Sequence, residues 1–483
     1  MTTTHFHRTI HTASRIAGLL AVAAGLATVL PSAAHASGPS ATLKAKFPEV
    51  TGIASQLTAG GTARVMVLLK AKTPASPDPN PGYEKTTATR DLASANKSAR
   101  YYPKVALFAA TAKLSELEKL AADTVVLKMQ LDHVNARSTV VEETVDQSAA
   151  TIGAGPAFLA GFDGTGQAIA VLDTGFQVDH PFFADKLIDE ACFSNGDLLA
   201  GNASLCPAAN APHPAINCDP ALDGCNHGTL VAGVAVGRLP DNISLTDKAS
   251  RTGVGRGAKL IAVNVFTKVP NAQITGGYGL QAYDSDVIAA LLWVDGKKDS
   301  YGATKIAAVN LSMAFGSLDG TVNCDATSAP AMKAVIDQLK TDGIATIVSA
   351  GHNPARQTGN KIAYPACISS AIAVSAVNSD NTLAVYSDMS PDTALLAPGT
   401  LIDSSVPGSA WGIGNGTSIA AAHVSGAFAI LRQKAPNATV DQILAALKVT
   451  GTPTTDANVA ISGGVTKPLI RVDLALGQFQ NAN

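Results

Sequence analysis

The chain has 483 residues, room for roughly three domains at about 150 residues each. Its 35 Lys+Arg and 37 Asp+Glu nearly cancel to a net charge of −2, which argues against a polybasic nucleic-acid binder. With 46% apolar and only 15% charged residues the chain is not mainly disordered, and no apolar run reaches the roughly 18 residues of a membrane span.

Residues 1–36 read as a secretory signal peptide. Arg8 and Arg15 supply a positive start, residues 16–30 an apolar stretch, and Ala34-His35-Ala36 a small–x–small cleavage pattern. Export, to the outside of the cell or to a periplasm, agrees with six cysteines, an even number that reads as disulfides in an oxidising compartment. Proximity along the chain favours the pairs Cys192–Cys206, Cys218–Cys225 and Cys324–Cys367. A zinc site from Cys218, Cys225 and His227 is a weaker reading, because no Cys-x-x-Cys pair is present.

Residues 37–145 hold much of the dense charge and read as a compact α+β module. Strands are expected at 63–69 and 124–131, a Pro-rich loop at 74–81, and a helix to Ala122 capped by Ser115 with Glu118 three residues on. From 146 to 483 apolar strands alternate with helices. The strands are expected at 168–172, 260–265, 306–311, 344–348 and 371–377. Helices are expected at 284–293, 328–339, 417–433 and 440–447. That alternation predicts an α/β fold: a mostly parallel sheet with helices on both faces, preceded by the small α+β domain. In such a sheet the chemistry sits at the carboxyl ends of the strands.

Three motifs fall at those ends. The first expected strand runs into Asp173-Thr174-Gly175, Asn226-His227-Gly228-Thr229 opens an apolar stretch, and Gly416-Thr417-Ser418 opens a long helix of small residues. Each alone is ordinary. Together they supply a nucleophile, a base to take its proton and a carboxylate to orient the base. A helix amino terminus at Ser418 also favours a developing anion.

The segments around Asp173, His227 and Ser418, in that chain order, resemble the three signature blocks of the subtilisin-like serine peptidases, with further likeness at 253–266 and 309–313. The resemblance implies an endopeptidase acting on proteins or peptides, with Asp173, His227 and Ser418 as its triad. It implies that residues 37–145 are an inhibitory propeptide, the chain's own partner until removal, and that the processed enzyme is a monomer with no membrane or nucleic-acid partner. It implies an oxyanion donor after Ala350-Gly351, where this sequence has His352 and then Asn353; position favours His352. It also implies a pocket strand at Ser312, Met313, Ala314 and Phe315, the last two replacing glycines; facing inward they narrow the pocket, and the alternative is that Phe315 turns outward. No cofactor is expected, and no dense carboxylate loop indicates the calcium common in the family. His180 and His213, beside prolines, are expected to be solvated, and the glycosylation-like Asn310 and Asn415 to be structural. The altered oxyanion and pocket segments leave a second reading, a catalytically weak or inactive peptide-binding protein on the same fold.

Overall fold

The computed structural model describes residues 38–70, 87–95, 99–102, 106–131, 134–136, 145–195, 201–206, 222, 224–240, 251–270, 278–314, 323–325, 330–352, 361–456 and 464–479. The signal-like segment, the Pro-rich loop, His213, Cys218, Phe315 and Asn353 lie outside them.

The amino-terminal module is a four-stranded antiparallel sheet: β1 (Thr62–Leu69), β2 (Arg100–Tyr102), β3 (Leu107–Lys113) and β4 (Val126–Leu131), in the order β2-β3-β1-β4. β1 is apolar on both faces for a physical reason. Val65, Val67 and Leu69 pack with Leu43, Phe47, Phe108, Leu117 and Leu120 inside the module. Met66, with Leu107 and Ala109 of β3, faces the other way and joins the core of the larger body. The helix Leu114–Ala122 begins one residue before Ser115. Glu116, not Glu118, accepts the Lys113 amide at 2.7 Å, while Glu118 accepts the Ser40 amide at 2.7 Å. Either acid satisfies an orphan donor, and the helix took the register that buries Leu117 and Leu120.

A short strand, β5 (Val134–Ala136), leads out of the module. The larger body is built on β6 (Gln167–Asp173), β7 (Leu187–Cys192), β8 (Lys259–Asn264), β9 (Phe266–Pro270), β10 (Tyr278–Tyr283), β11 (Lys305–Leu311), β12 (Ala345–Ser349), β13 (Ile372–Val377), β14 (Leu395–Pro398), β15 (Ile402–Val406), β16 (Ala410–Gly414), β17 (Thr452–Thr455) and β18 (Thr466–Leu469). Nine of these form one sheet in the order β17-β18-β14-β13-β12-β11-β6-β8-β7, parallel except where β17 meets β18. All five strands expected from the sequence between 146 and 483 lie in it. Helices Asp284–Gly296 and Pro330–Thr341 cover one face; His227–Val236 and Thr417–Lys434 cover the other. The fold is the predicted α/β arrangement.

The chain leaves β6 toward β7 and β8 on one side and later fills β11 to β14 on the other. The carboxyl end of β6 is therefore a switch point, where the following loops part and leave a crevice. Asp173 is the last residue of β6. β5 pairs antiparallel with β10, and β10 with β9, in a separate three-stranded sheet. Cys192–Cys206 and Cys324–Cys367 are disulfides, as chain proximity suggests. Cys225 is disulfide-bonded too, which removes it as a thiolate ligand for zinc.

Candidate active site

Asp173 is wholly buried, and its carboxylate accepts the Thr174 amide at 2.7 Å. His227 Nδ1 lies 2.8 and 3.0 Å from its two oxygens. A carboxylate only accepts, so Nδ1 carries the proton and the neutral ring leaves Nε2 as a base. The approach is close because Gly228 has no side chain. A Cβ there would stand 2.4 Å from the Gly175 carbonyl oxygen and 3.1 Å from Asp173 Cβ. Thr174 closes the turn, donating to the Cys225 carbonyl and accepting from the Gly228 amide, each at 3.2 Å.

Ser418 is the second residue of the helix Thr417–Lys434, at the end that leaves N–H groups unpaired. Gly416 precedes that helix at φ 147°, a conformation that favours glycine. The helix is small-residued where it crosses its neighbours. A Cβ on Gly426 would come within 2.6 Å of Val254 Cβ. Ile419 and Ala422 share a core with Leu230, Val231 and Val234 of the His227 helix. Among the described residues no direct hydrogen bond joins Ser418 Oγ to His227, an ordinary state for a serine–histidine pair before substrate tightens it.

Hydrogen bonds from Thr417, Asn310 and Ser425 hold this helix; of these residues only Asn310 is expected from the sequence to be structural. Thr417 Oγ1 donates to the Gly351 carbonyl and accepts from the Gly351 amide, both at 3.2 Å. Asn310 Nδ2 donates to Ser312 Oγ at 2.7 Å, and Ser425 Oγ lies 3.0 Å from Asn310 Oδ1. The buried Asn310 thus is structural, as is Asn415, which accepts the Leu401 amide at 2.5 Å. The weak signal for this network was two polar residues in apolar surroundings, a pattern shared with many buried asparagines.

His352 follows Gly351 and stacks on Tyr386 with ring centroids 4.3 Å apart. Its Nδ1 is buried without a hydrogen-bond partner among the described residues, and burial pushes its pKa down to about 4. The ring is therefore neutral near pH 7. Of the expected pocket strand, Ser312 turns its hydroxyl inward, Met313 packs in the core and Ala314 is half-buried. His180 differs from expectation. It is buried, its Nδ1 accepts the Phe182 amide at 3.0 Å, its Nε2 lies 3.1 Å from the Ala410 carbonyl, and it meets Trp411 edge-on. Proline after it starts a short helix that His180 caps, so the ring is enclosed rather than solvated. Among the described residues no group of His, Cys, Asp or Glu could hold a metal ion, and no helix is long and apolar enough to cross a membrane.

Residues 164–465 match the subtilase family. The chain is 28% identical over 347 residues to Subtilisin NAT of Bacillus subtilis subsp. natto, covering 71% of this chain and 75% of that protein. It is 29% identical over 293 residues to Subtilisin of Bacillus pumilus, covering 60% of this chain and 86% of the relative. Identity to the Alkaline protease of Shouchella clausii is 28% over 351 residues, 72% of this chain and 76% of that protein.

Proposed function

The chain belongs to the subtilase family and is a serine-type endopeptidase, and on that premise we propose that Asp173, His227 and Ser418 are its triad in a secreted enzyme made as an inactive precursor. The observation that carries the reading is the pair of short contacts from His227 Nδ1 to the Asp173 carboxylate, beside the helix that starts at Ser418.

Ser418 Oγ attacks the scissile carbonyl while His227 Nε2 accepts its proton. The proton then passes to the leaving amine, and water repeats the sequence on the acyl-enzyme. Asp173 fixes the tautomer and stabilises the imidazolium that forms. The Ser418 N–H is one oxyanion donor. The side chain of His352, or of Asn353 next to it, is the other; support for His352 is its place directly after Gly351, which Thr417 ties to the nucleophile helix. Ser312, Met313 and Ala314, which directly follow β11, with Phe315 next in the chain, are the segment assigned to the residue preceding the cut.

Residues 1–36 are a signal peptide and 37–145 a propeptide. Support for the latter is the docking of the module on the catalytic body. Arg64 donates to Ser285 Oγ at 2.8 Å and lies over the Tyr283 ring, and Arg100 pairs with Asp286 at 3.0 Å. β5 lies antiparallel on β10 as an extended substrate would, and the chain then runs toward the boundary near 145. Main-chain pairing of this kind binds a peptide with little regard to sequence.

The test is a fluorophosphonate probe applied to the secreted, processed protein, with Ser418→Ala alongside. Labelling at Ser418, with casein cleavage lost in Ser418→Ala and residues 37–145 retained in that variant, is the expected result. A folded, processed protein that takes no label overturns the reading in favour of an inactive peptide-binding relative.

A further inference from the structure

The helix that carries Ser418 also carries a titratable side chain that the mechanism does not use. His423 is wholly buried, one turn beyond Ile419, in a stretch made otherwise of alanine and other small residues. Its Nδ1 lies 2.9 Å from the Ile419 carbonyl oxygen and its Nε2 lies 2.8 Å from Ser148 Oγ. A carbonyl can only accept, so Nδ1 holds the proton. The neutral ring then offers Nε2 as an acceptor, and the Ser148 hydroxyl donates to it. Burial holds the pKa down to about 4, consistent with that neutral state.

An imidazole enclosed among alanines is costly unless both nitrogens are satisfied. Here each is satisfied by a group with a stake in the chemistry. Ile419 is the residue after Ser418, so the Nδ1–H bond steadies the first turn of the nucleophile helix. Ser148 lies in the helix Val145–Thr151, where the chain leaves the amino-terminal module. That segment is seated on the nucleophile helix: Ala149, Ile152 and Ala154 share a core with Ala420, Ala421 and Val424. The Ile152 carbonyl accepts the Val472 amide at 2.7 Å.

We infer that Ser148 and His423 are positioning residues for Ser418, through which the segment that becomes the amino terminus of the processed enzyme sets the first turn of the nucleophile helix. The inference rests on the reading of Ser418 as nucleophile and of residues 37–145 as the removed part. It makes the docked amino-terminal segment part of the catalytic apparatus.

The experiment compares Ser148→Ala and Ser148→Thr with the parent, each expressed as the full chain and purified after processing. Turnover of a chromogenic peptide amide, the rate of fluorophosphonate labelling and the Tm are measured. For Ser148→Ala, kcat and the labelling rate are expected to fall together, roughly five- to tenfold, with KM within about twofold. Threonine, which keeps the hydroxyl, restores both. If alanine prevents accumulation, Ser148→Cys, near-isosteric with a weak donor, is read by the same split. Parent values of kcat and labelling rate in the hydroxyl-less variant overturn the inference, whatever the Tm does. A parent that itself takes no label overturns the nucleophile reading, and this inference with it.

Discussion

Ser312 donates its hydroxyl hydrogen to the backbone carbonyl of Ser418 at 2.8 Å, tying the end of β11 to the helix that carries the proposed nucleophile. The same hydroxyl accepts from Asn310 Nδ2, so one oxygen serves two buried partners. Ser312→Ala removes the acceptor of the buried Asn310 Nδ2 and takes from the Ser418 carbonyl its tie to β11, and should destabilise the fold by about 1–3 kcal/mol. It should also lower kcat roughly tenfold with KM little changed, because a shift of the helix misplaces the attacking oxygen. Denaturant midpoints and steady-state kinetics on the processed enzyme check the two effects.

Gly228 is the residue that admits His227 to Asp173. Gly228→Ala puts a methyl 2.4 Å from the Gly175 carbonyl oxygen, so the start of the helix must move away from the carboxylate. A displacement on the order of 1 Å should cost about 10²-fold in kcat. The fluorophosphonate labelling rate reports the displacement and should fall by a similar factor.

The oxyanion donor is assigned by removing each candidate in turn. His352→Ala is expected to lower kcat by about 10²–10³ with KM nearly unchanged, and His352→Asn to recover much of it. Asn353→Ala should leave kcat within about threefold of the parent on the same reasoning. The reverse pattern would transfer the role to Asn353.

Acid should destabilise the folded enzyme through its enclosed histidines. Burial lowers the pKa of His423 and of His352 to about 4, and it lowers that of His180 as well. The unfolded chain takes up these protons near pH 6.5, so between about 6.5 and 4 the unfolded state binds more protons and stability falls as pH drops. For the wholly buried His423 this amounts to up to about 3 kcal/mol. His423→Gln should flatten the loss, measured as the change in urea midpoint between pH 7 and pH 4.5.

Arg100 of the amino-terminal module and Asp286 of the larger body form an ion pair in which Asp286 is wholly buried. On the proposed reading of residues 37–145 as an inhibitor, Asp286→Asn should weaken inhibition by added module on the order of 10²-fold and reduce its sensitivity to salt. Inhibition constants measured at low and high ionic strength give both quantities.

Much of this architecture was legible in the sequence because buried parallel strands read as unbroken apolar runs, and 168–172 and 306–311 are such runs. The short contact between His227 and Asp173 joins two positions that sequence could single out, one ending an apolar strand and the other opening an apolar helix, each followed by a Gly-containing segment. What escaped were partnerships made by tertiary contact. Nothing local marks Asn310 as a partner of Ser312 and Ser425, or Ser148 as a partner of a histidine 275 residues away. The cap at Ser115 failed for a related reason: two glutamates could each serve, and the burial of Leu117 decided between registers. His180 escaped because a proline neighbour suggests an open loop, whereas Phe182, Phe183 and Trp411 enclose it.

The pairing of β5 with β10 has a consequence for how the processed enzyme can be stored. On the proposed reading, in which residues 134–136 leave with the propeptide, the edge of β10 that pairs with them, at Gln281, Ala282 and Tyr283, loses that strand. An open strand edge takes any extended chain, including a frayed segment of another copy. Loss of activity on standing should therefore rise with the square of enzyme concentration, while the precursor, its edge already filled, keeps at any concentration.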